Sequence, residues 1–147
     1  MYIPGTIIYF TPFYFSDGSS KNKYFIVLAD TGNDILVAGL PTSQDHIPSS
    51  VKKKHGCISD YNKRVSCYFF EKGRIISECG LFGFPRNTYL YGEQISFFDI
   101  KRLQSLYANN ANNCKVLCKL SDTEFESVKK CLRNSGVVAG KFKKYMG

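Results

Sequence analysis

Thr88-Tyr89-Leu90-Tyr91-Gly92-Glu93-Gln94-Ile95-Ser96-Phe97-Phe98-Asp99-Ile100-Lys101-Arg102-Leu103 reads as a strand that delivers polar groups to one spot and then passes into a helix. Tyr89 and Tyr91 lie in an apolar run of β-favouring side chains, and Glu93-Gln94 interrupts that run where a half-buried strand would surface. Asp99 has the chemistry of an N-cap, with Leu103, Leu106 and Tyr107 on the inner face of the short helix that follows. A carboxylate and an amide at a strand end are held stiffly by the sheet beneath, as catalysis and tight recognition both require.

Upstream, Gly5 to Phe10 predicts a first strand. Tyr24 to Ala29 predicts a second, buried on both faces because it lacks polar alternation, and Ile35 to Leu40 a third. A polar loop from Ser16 to Lys23 and the turn Asp30-Thr31-Gly32-Asn33-Asp34 join them into an antiparallel meander. Lys23 stands at one strand end, and Thr42-Ser43 follows another. Residues 47 to 65 are polar and basic, with a short strand expected at Cys57-Ile58. Lys72-Gly73 between Ser66–Glu71 and Arg74–Glu78 predicts a hairpin.

Downstream, Cys114 to Lys119 predicts a last strand. Ser121-Asp122-Thr123-Glu124 forms a capping box for a final helix, with Leu120 and Phe125 at staple positions and Val128, Cys131 and Leu132 on its apolar face. Gly136 is expected to stop this helix, and the basic tail, residues 137–147, to order on binding. The sum is a mainly β, α+β single domain over residues 1–147, with no internal repeat.

The formal net charge of +8 makes a polyanion the first partner to consider, since Lys and Arg gain counterion-release free energy on phosphate. The N-terminus lacks a basic leader, and Pro4, Pro12 and Asp17 break its apolar run before a membrane span. A cytoplasmic protein with reduced thiols and no membrane partner is expected. His55-x-Cys57 and Cys114-x-x-x-Cys118 fall short of the two close pairs zinc needs, so the six cysteines are expected as small hydrophobes and no metal is predicted.

In order and spacing, Pro4-Gly5-Thr6-Ile7-Ile8-Tyr9-Phe10, Lys23-Tyr24-Phe25-Ile26-Val27-Leu28, Thr42-Ser43, Glu93-Gln94-Ile95 with Asp99-Ile100-Lys101-Arg102-Leu103, and Leu120-Ser121-Asp122 resemble the MazF/PemK (Kid) family of bacterial toxins. The resemblance implies an SH3-like small barrel, with an added hairpin over about 55–85. It also implies a homodimer paired with an antitoxin, and metal-free, cofactor-free cleavage of single-stranded RNA to a 2′,3′-cyclic phosphate and a 5′-hydroxyl. On it, Lys23 supplies charge to the scissile phosphate, Thr42 and Ser43 donate hydrogen bonds, and Glu93 or Gln94 orients or deprotonates the 2′-hydroxyl. His46 is a further candidate for proton transfer. Lys21, Tyr91, Lys52, Lys53 and Lys54 are the expected RNA contacts. Where the family has Arg-Pro this chain has Lys23-Tyr24, and Lys acts as a point charge without a bidentate grip. A non-catalytic RNA-binding or protein-interaction module on the same barrel is the alternative.

Overall fold

The computed structural model describes residues 2–15, 17–41, 47, 49–63, 65–107 and 111–147. Five strands form one antiparallel sheet: β1 (Thr6–Tyr14), β2 (Ser20–Asp30), β3 (Asp34–Leu40), β7 (Ile95–Asp99) and β8 (Cys114–Lys119), in the order β7-β3-β2-β1-β8. A smaller sheet holds β4 (Gly56–Asp60), β5 (Val65–Phe70) and β6 (Thr88–Tyr91) in that order. Helix α1 (Ile100–Tyr107) follows β7, α2 (Asp122–Arg133) follows β8, and a short α3 (Gly140–Lys143) lies in the tail. The chain is thus mainly β with a few helices, as the sequence predicts.

The central sheet is buried on both faces, as the unbroken apolar run of β2 requires. Ile7, Ile26, Leu28, Leu36, Ala38 and Leu40 point to one core shared with Tyr68, Phe70 and Leu90 of the smaller sheet and with Val128 and Leu132 of α2. Alternate residues Ile8, Phe10, Phe25, Val27, Ile35 and Val37 point the other way, where Leu103 and Tyr107 of α1 cover them. The opposite face of the smaller sheet, with Cys67, Phe69, Tyr89 and Tyr91, packs with Ile47 and Val51. Each side chain of this size that leaves water contributes roughly 1.5–3 kcal/mol, so the meander is a rigid base for whatever stands at its ends.

Several expectations need correction. The stretch from Thr88 to Leu103 holds two strands in different sheets, with a single 3-10 turn at Gly92–Gln94 between them. Asp99 does cap α1, its Oδ1 accepting from the Lys101 backbone N–H at 2.9 Å. The hairpin at Lys72-Gly73 is only a turn: β5 pairs on one side with β4 and on the other with β6, so both edges are filled. Arg74 to Glu78 instead folds back on its own loop, with Ile76 N–H on the Phe82 carbonyl at 2.9 Å, and bridges to Leu120 through Ser77.

Helix α2 ends at Arg133 and is capped at Asn134, before Gly136. The tail is packed, because Val138 and Met146 are buried in the core shared by the two sheets. Cys57 and Cys131 form a disulfide that ties β4 to α2, so the cysteines are not all free thiols as expected. Among the described residues, no helix is long and apolar enough to cross a membrane.

Candidate functional site

Among the described residues, two places bring together side chains with candidate chemistry. The first lies where β3 ends and β7 begins, beside Lys23, which the sequence places at a strand end after a loop but which sits inside β2, paired with Phe10 of β1. Gly39 pairs with Phe25 on β2, and its β3 neighbour Ala38 pairs with Ile95, the residue after Gln94. Lys23 stands two residues before Phe25 and so shares its face. Gly39 has no side chain to separate these neighbours: a Cβ there would meet Lys23 Cε at 2.9 Å, Lys23 Nζ at 3.1 Å and Gln94 Oε1 at 3.5 Å. The bare backbone of Gly39 is therefore the floor on which the ammonium and the amide come together.

Lys23 is half-buried, with its ammonium 5.7 Å from the Phe15 ring centre and 5.5 Å from that of Phe25. Desolvation, then the like charge of Lys21, pull its pKa below the usual lysine value. Glu93 is exposed, and its charge acts on Cys67. Gln94 rather than Glu93 is thus the partner beside Lys23. Thr42, Ser43 and His46 lie outside the described residues.

Of the expected RNA contacts, Lys21 is exposed beside Lys23, and Lys52, Lys53 and Lys54 are exposed on the run before His55. Lys53 Nζ lies 6.0 Å from the centre of the Tyr89 ring. Tyr91 is stacked on Tyr89 at 5.7 Å and is only 9% exposed, which leaves little of its ring for a base.

The second place is a cavity of about 510 Å³ between the smaller sheet and α2. His55 Nε2 stands 3.1 Å from both oxygens of Glu124, and the Tyr68 hydroxyl donates to Glu124 Oε2. The Glu71 backbone N–H donates to His55 Nδ1 at 3.0 Å. An Nδ1 that accepts carries no proton, so the proton sits on Nε2 and is donated to Glu124. Both ring nitrogens are occupied, and His55 orients the carboxylate instead of acting as a base. Burial, then the bond to Glu124, push the Tyr68 hydroxyl far above its ordinary pKa, which keeps it a donor.

This cluster escapes sequence reading because its members lie 56 and 69 residues apart. Ser121-Asp122-Thr123-Glu124 does cap α2, but only by half: Ser121 Oγ accepts from the Glu124 N–H at 3.2 Å, while the Glu124 carboxylate turns to His55 and Tyr68. The one visible signal was a Tyr inside the apolar run Cys67-Tyr68-Phe69-Phe70.

No protein-family model, curated protein or solved structure matches the chain.

Proposed function

We propose that the protein is a metal-independent endoribonuclease acting on single-stranded RNA, the toxin of a type II toxin–antitoxin pair. The observation that carries the reading is the meeting of Lys23 and Gln94 over Gly39 at the end of a rigid sheet, in a strongly basic chain. Cleavage of this class needs a proton acceptor for the 2′-hydroxyl and charge on the phosphate. Glu93, exposed on the same 3-10 turn one residue before Gln94, is the nearest carboxylate along the chain to that amide and takes the 2′-hydroxyl proton; the 2′-oxygen attacks phosphorus, and the 5′-oxygen leaves with a proton from water. The products are a 2′,3′-cyclic phosphate and a 5′-hydroxyl. Lys23 supplies the cation on the phosphate, and Gln94 hydrogen-bonds the group it holds.

A second reading is a non-catalytic RNA-binding module. What favours it is the separation of roles just described: the influences on Lys23 are burial and Lys21, with Glu93 acting elsewhere. Expression in a bacterial host separates the two. The nuclease arrests growth, the neighbouring gene product relieves the arrest, and Lys23→Ala abolishes it. Growth unaffected by full expression of folded protein speaks against the toxin.

A further inference from the structure

We propose that the cavity between β5 and α2 is a binding site for a ribose phosphate, in which Arg74 and Lys130 hold the phosphate and Glu124 accepts from the sugar 2-hydroxyl. Its volume of about 510 Å³ lies in the range of small-ligand sites. His55, Tyr68, Arg74, Glu124, Ser127 and Lys130 are among its walls.

The two cations are available. On the same helix Lys129 is paired with Glu126 at 2.7 Å, and Arg133 donates to the Met146 carbonyl at 2.9 Å. Arg74 and Lys130 have no carboxylate partner among the described residues. Two cations at the edge of one cavity favour an anion and disfavour a metal ion or an amine.

The carboxylate is fixed and still has capacity. The His55 and Glu124 side chains are 5% and 13% exposed, and the two donors on Glu124 are the shared Nε2–H of His55 and the Tyr68 hydroxyl. An ionised carboxylate offers about four acceptor positions, so Oε1, which Tyr68 leaves uncovered, can take a further donor. A bare phosphate would leave this acceptor unused and meet its charge. A phosphate carried on a sugar answers both needs, its anion on Arg74 and Lys130 and a hydroxyl on Glu124. The source is either a nucleotide unit of RNA or a free sugar phosphate. Only the first rests on the ribonuclease reading.

The test is calorimetric titration of the full chain with ribose 5-phosphate and with 2-deoxyribose 5-phosphate. Ribose 5-phosphate is expected to bind, with the deoxy sugar weaker by roughly tenfold or more, the ratio one hydrogen bond to a charged carboxylate makes. The double variant R74A/K130Q is expected to lose about tenfold or more for both sugars with their ratio kept. Glu124→Gln, which keeps shape and acceptor but removes the charge, is expected to shrink the ratio. Equal thermal melts of variants and parent show that the fold is retained.

Displacement of ribose 5-phosphate by a short single-stranded RNA assigns the site to RNA; saturation of the site without displacement assigns it to a free sugar phosphate. Absence of binding, equal binding of the two sugars, or full binding by folded R74A/K130Q overturns the proposal. RNA cleavage that survives R74A/K130Q and is lost in Lys23→Ala, in a protein that binds neither sugar, removes this site and leaves the nuclease standing.

Discussion

Lys23 spends stability on position. Its ammonium is drawn into an aromatic niche, and burial makes the charged form the costly one. For a lysine whose folded pKa is depressed, the unfolded chain binds the proton more tightly. That cost is fully present below the folded pKa and is relieved as pH rises from there toward 10.5. Lys23→Met is therefore expected to raise the melting temperature at neutral pH while abolishing cleavage. Cleavage by the parent is expected to fall at alkaline pH with a midpoint below 10.5, and Lys23→Arg, which cannot lose its proton there, to remove that fall. Thermal melts and a pH–rate profile check the pair.

The cysteines divide just as sharply at this scale. Burial pushes the Cys67 thiol up to about 11 and Cys118 to about 12, and raises Cys114 as well. Cys79 is exposed, and its contact with the Ser77 hydroxyl lowers its pKa. Under native conditions a thiol reagent is expected to label Cys79 first, with Cys67, Cys114 and Cys118 reacting only on unfolding. Mass mapping of the adducts reads this directly; early label at Cys67 would show that the smaller sheet opens.

Gly39 on β3 and the Cys57–Cys131 bond between β4 and α2 act through the elements that they hold. The atoms that crowd a Cβ at Gly39 are the far end of the Lys23 side chain, which can swing away, so the fold can absorb Gly39→Ala. The variant is expected to melt near the parent yet cleave RNA about tenfold more slowly, because a displacement of the order of 1 Å costs that much or more. The disulfide closes a span of 74 residues between β4 and α2. Cys57→Ser is expected to cost roughly 2–4 kcal/mol in denaturant unfolding, and the same loss should appear when the parent is reduced.

These elements also show where sequence reading stops. Unbroken apolar runs at Tyr24–Ala29 and Ile35–Leu40 are legible because burial on both faces leaves no polar alternation. The α2 start is legible because capping is local. The turn at Gly73 was visible too, but the partner of β5 was not, since which strand fills an edge is settled by distant chain. In the sequence only the family resemblance puts Lys23 and Gln94 in one site, and the pairing of β2, β3 and β7 explains their meeting over Gly39.

For the whole molecule, two sheets sharing one core put a basic surface on a rigid frame. Association with RNA through such a surface weakens steeply with salt. Incubation of purified protein with a long single-stranded RNA in EDTA at low salt, followed by mapping of the new 5′ ends, separates a nuclease from a binding module. The expectation is discrete cuts with 5′-hydroxyl ends from the parent and intact RNA from Lys23→Ala. RNA that is bound by the folded parent yet stays whole would contradict it and leave a binding module in its place.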